Sequence, residues 1–152
     1  MTEIQELLLI ETKIEKGKLC FYITAKDIEI TELRIVKAFS LIENAVKQLY
    51  RDDIKKVYFV YNINELNLPS NFTQIGDLAT ILKNHETILA EKLVFSIVQN
   101  KNNVFSLFFK LFREYYNPVK ALYLCKDSEE TRRCLHNSKS RDSFPNICNL
   151  LL

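Results

Sequence analysis

The chain of 152 residues is long enough for one domain with its own apolar core, and 47% hydrophobic with 26% charged residues matches ordinary globular usage rather than disorder. Its net charge of +2 comes from Lys and Arg spread among acids, which argues against a nucleic-acid partner. Two glycines, Gly17 and Gly76, leave no Gly-rich loop to cradle phosphate, so the common nucleotide-binding chemistries are disfavoured.

In chain order, Ile4 to Ile14 and Lys18 to Ala25 are β-prone runs separated by Glu15-Lys16-Gly17, the pattern of an opening hairpin. Thr31 is a good N-cap, and Ile35, Phe39, Ile42, Val46 and Leu49 follow it at helical spacing. Val57 to Tyr61 reads as a central strand covered on both faces. A polar stretch to Pro69-Ser70-Asn71 suits a turn and a helix start, and Ile75, Leu78, Ile81, Leu82, Ile88 and Leu89 mark a second helix. Gly76 within it costs roughly 1 kcal/mol against Ala, which would be repaid by close approach of a backbone or a ligand.

Leu93 to Val98 is the next buried strand, and VFSLFFKLFREYY from Val104 the third helix, ended by Asn117-Pro118. Its core stripe is Val104, Leu107, Phe108, Leu111, Phe112 and Tyr115; Phe105, Phe109 and Tyr116 form a second apolar row interrupted by Lys110 and Arg113. If exposed, that row would serve a dimer, a protein partner or a membrane, with Lys110 and Arg113 suited to anionic lipid. Val119 to Cys125 is a further strand, Asp127 to Glu130 open a last helix, and residues 139–152 form a tail after a domain of 1–138. Strand and helix alternate from Ile54 onward, which requires right-handed crossovers. The expected fold is α/β, a mixed and mostly parallel sheet of about five strands that opens with a β-hairpin, helices packed on it.

Chemistry-bearing groups are sparse. Cys20, Cys125, Cys134 and Cys148 have no CxxC or zinc-like spacing and read as reduced thiols. His85 and His136 lack a nucleophile or acid at motif spacing. The expectation is a non-enzymatic protein with no catalytic residues, cofactor or metal. No basic leader or long apolar run is present, so a cytoplasmic location is expected.

The element order from Ile4 to Leu135, with LVFSIVQN, the aromatic helix and VKALYLCKDSEE, resembles the STAS domain of anti-sigma-factor antagonists and sulfate transporters. It looks closer still to the SpoIIAA-like (STAS/Sec14-type) proteins, related in shape to CRAL-TRIO lipid-binding domains. The resemblance implies a regulatory or scaffolding role through protein contacts, with homodimerisation an option. It implies lipid or apolar-ligand binding at a membrane surface as the alternative. It also places Ser70 where antagonists carry a phosphorylated serine, although the acid and glycine of that motif are missing from Leu68-Pro69-Ser70-Asn71. Ser70 is thus either a phosphorylation site or a helix cap.

Overall fold

The computed structural model describes residues 6–15, 17–65, 74–101, 110 and 112–136, together with the backbone of 149–150. The hairpin is β1 (Leu8–Glu15) and β2 (Lys18–Ala25), antiparallel with Glu15 opposite Lys18. Gly17 sits in its turn at φ 77°, the left-handed region that a residue with a Cβ avoids. Helix α1 (Glu32–Lys47) follows, its first turn closed by the Thr31 side chain accepting from the Arg34 N–H at 3.2 Å. A 3-10 turn, Gln48–Tyr50, leads to β3 (Val57–Asn62). Beyond it lie α2 (Ile75–Asn84), α3 (Glu86–Lys92), β4 (Leu93–Gln99), β5 (Leu122–Cys125), α4 (Ser128–His136) and the two-residue β6 (Asn149–Leu150).

The strands lie in sequence order, β1 to β6. The β2–β3, β3–β4 and β4–β5 pairs are parallel and the two end pairs antiparallel. The expected mixed sheet with its opening hairpin is therefore the fold. Sequential parallel neighbours joined by right-handed crossovers put every connection on the same face. Accordingly α1, α2 and α3 pack against Phe21, Ile23, Phe59 and Val98, all from one side of the sheet. Helix α4 makes no such crossover, and it buries Cys134 and Leu135 against Cys20, Val60, Ile97 and Cys125 on the other side.

One irregularity lies at the centre. Between Val57↔Leu93 and Phe59↔Ser96, β3 advances by two residues and β4 by three. The extra residue puts Val94 and Phe95 together in the α4-side core and aims Ser96 at the helix layer. Phe95 then meets Tyr58 and Tyr123 edge-on at 4.8 and 5.2 Å.

Four details depart from the sequence reading. The second helix is broken at His85, which ends α2 and precedes α3. The last parallel strand begins at Leu122, because 119–121 bend before joining the sheet. Tyr115 and Tyr116 exchange roles: the chain turns after Phe112, and the Tyr116 N–H donates to the Phe112 carbonyl four residues back, which keeps Tyr116 on the buried Phe112 side. Tyr115 is 48% exposed and Tyr116 only 6%. Asn149–Leu150, from the stretch read as a tail, pairs with β5.

Candidate functional site

The prominent feature of the helix-covered face is an apolar cavity of about 220 Å³ between α1, α2, α3 and the sheet. Ile23, Phe59, Tyr61, Ser96, Val98 and Leu122 form its floor. Ile35, Ala38 and Ile42 of α1, with Leu78, Leu82 and Leu89 of α2 and α3, form its roof. Phe112, Tyr116, Val119 and Lys120 line it on the β5 side. Small side chains account for much of the space: Ala38 on α1 and Ser96 on β4 stand where larger residues would fill the layer.

The volume matters energetically. The space opens partly to solvent, so the apolar side chains that line it meet water when it is unfilled, and covering them with an apolar molecule is favourable by about 25 cal/mol per Å². A cavity of about 150 Å³ already admits benzene.

A few polar groups face this space. Burial pushes the Tyr61 hydroxyl well above the usual tyrosine range, with the Tyr116 hydroxyl reinforcing the shift. Tyr116 is raised too, by desolvation first and then by the charge of Glu86. Both phenols stay protonated across the physiological range and can donate a hydrogen bond. Among the described residues, no hydrogen-bond partner meets the Tyr61 hydroxyl. Lys120, half-buried, adds one cation to the lining. The set offers an apolar body with donors on the β5 side, which suits a molecule that is mostly hydrocarbon with one acceptor group.

The roof is held by a second cluster. The Tyr50 hydroxyl lies 3.0 Å from His85 Nδ1, and His85 Nε2 lies 3.3 Å from Glu43 Oε2. With the ring proton on Nε2, imidazole donates to the carboxylate and accepts from the phenol, tying the α2–α3 break to α1. In the sequence His85 has no nucleophile or acid at motif spacing; in the fold it is the residue between the ends of α2 and α3. Its ligatures come from positions 35 and 42 residues away, a separation that no local pattern signals.

Of the surface residues named from sequence, Lys110 and Arg113 are exposed. Tyr116 is not on that surface: it is buried against Phe112, with ring centroids 5.8 Å apart, and faces the cavity. Phe105, Phe109 and Ser70 lie outside the described residues. The described start of α2 has Gln74, not Ser70, in the cap position. Among the described residues no group of three His, Cys, Asp or Glu side chains could hold a metal ion. No described helix is long and apolar enough to cross a membrane. Comparisons with protein-family profiles, curated proteins and solved structures each find no match.

Proposed function

We propose that this protein binds a small apolar molecule in the cavity between its helix layer and its sheet. The observation that carries this is the 220 Å³ cavity itself, lined almost wholly by hydrocarbon yet provided with two protonated phenols and one lysine. It is a binding role rather than a catalytic one. It agrees with the apolar-ligand alternative that the resemblance to SpoIIAA-like and CRAL-TRIO domains implies. The size suits a medium-length acyl chain or a small ring system, with a carboxylate or carbonyl oxygen accepting from Tyr61 or Tyr116 and facing Lys120.

The test is a thermal-shift and calorimetric titration with straight-chain monocarboxylates of increasing length, next to liposome flotation. Acids of intermediate length should raise the melting temperature, with affinity falling for chains too long for the cavity. Ser96→Val, which adds methyl groups to the floor, should weaken that binding while leaving the fold intact. If no acid or neutral apolar probe binds, and Ser96→Val changes only stability, the cavity is a packing defect. Flotation with liposomes in the absence of soluble binding would place the lipid contact on an outer surface instead.

A further inference from the structure

Among the described residues, β1 pairs with one neighbour, β2. The Lys26 N–H donates to the Leu7 carbonyl at 2.8 Å, and positions 7 and 26 continue the β1–β2 register. Odd-numbered residues of β1 therefore turn their backbone groups towards β2. Alternation aims the N–H and C=O of Leu8, Ile10, Thr12 and Ile14 the other way. That edge runs for eight residues without proline or bulge and exposes Leu9 by 46% and Ile14 by 69%. A long regular edge with outward apolar side chains is a template for pairing with another strand.

We infer that β1 pairs antiparallel with β1 of a second copy of this chain, centred on Thr12, so that two sheets join into one. Charge chooses both the occupant and the register. Outward-facing residues must oppose one another, so the centres that keep most of the strand paired are Glu11, Thr12 and Lys13. Centring on Glu11 opposes that carboxylate to its own copy. Centring on Lys13 opposes two lysines and sets Glu11 against Glu15. Centring on Thr12 sets Glu11 against Lys13 of the second copy and Lys13 against its Glu11. Both contacts fall in the close, non-hydrogen-bonded positions, where opposite charges stabilise and like charges destabilise. The same register lays Ile14 against Ile10 of the second copy on the α1 side, covering the most exposed large apolar side chain described. Residues 11 to 13 are all exposed in the single chain, where the Lys13 ammonium lies over the Tyr22 ring at 5.0 Å and turns from it to meet Glu11 of the second copy.

Sedimentation equilibrium at low salt tests this. The wild-type chain should reach twice its 17.9 kDa as concentration rises. E11K and K13E, each folded by circular dichroism, should weaken the dimer by about tenfold or more. An equimolar mixture of the two variants should recover it, because each presents the charge the other has lost. The double variant E11K/K13E should also dimerise. Thr12→Cys reads the register directly: a hydrogen-bonded pair places Cα atoms about 5.5 Å apart, within disulfide reach, so mild oxidation should cross-link the chains. Ile14→Cys, opposite position 10, should not cross-link. A wild-type chain that stays monomeric to its solubility limit overturns the inference. So does a dimer indifferent to both charge reversals, or one that the mixture and the double variant fail to restore.

Discussion

At Gly76 a Cβ would meet the Tyr115 ring at 3.8 Å, an ordinary van der Waals distance. The glycine is thus not required by close approach. Gly76→Ala should stabilise the protein by about 1 kcal/mol, read as a higher urea midpoint with unchanged slope. Cys20 supplies a pH dependence. Burial pushes its thiol from 9.0 to about 11, with Glu15 adding to the shift. An acid whose pKa is raised in the fold keeps a proton that the unfolded chain releases. The stability it supports is therefore complete below pH 9.0 and is lost as pH rises towards about 11. Tyr22, Tyr61 and Tyr116 act in the same direction above the ordinary tyrosine value of 10.0. Urea midpoints should be flat through neutral pH and fall in alkali, and Cys20→Val should remove one proton from the slope in the Cys20 window.

At the scale of elements, the two faces of the sheet are covered unequally. Among the described residues, α1, α2 and α3 lie on one side, and α4, nine residues long, is the one described helix on the other. Leu135, fully buried in that contact, should cost about 3 kcal/mol when cut to alanine, measured by equilibrium unfolding. Its anchorage is well provided for. The Asp127 carboxylate accepts from the Glu130 N–H at 2.9 Å, and Gln99 donates to the buried Thr131 hydroxyl at 2.8 Å. The roof of the cavity depends on the Tyr50–His85–Glu43 cluster in a comparable way. Glu43→Gln should cost about 1 kcal/mol and speed amide exchange in α2 and α3 more than in α1, as the break between them loosens.

For the whole molecule, binding and stability are one measurement. A ligand confined to the folded cavity stabilises by about 2.7 kcal/mol at a hundred times its Kd. Chemical-denaturation midpoints should rise with the logarithm of ligand concentration, and the increase should vanish in Ser96→Val. Joining at β1 is centred on Thr12, which with Ile10 and Ile14 is outside the cavity lining; of the outward-facing edge, Leu8 alone, at the far end of the strand, belongs to it. Failure of ligand binding and failure of dimerisation are therefore independent results.

Signals between near neighbours in the sequence set the order and kind of most of the elements. Thr31 capping α1, the Gly17 turn, Asp127 opening α4 and the unbroken apolar runs of β3 and β4 act through neighbours a few residues away. Given the sequential strand order of the sheet, its one-sided helix layer then follows from chain handedness. What only the tertiary structure decided rests on distant contacts. These are the choice of Tyr116 over Tyr115 as the buried ring, the bulge that aims Ser96 at the helices, His85 held by Tyr50 and Glu43, and β6 on β5. The cavity belongs with them. It is a shortfall of volume between side chains from eight elements, and no periodicity along one segment records the space left between several.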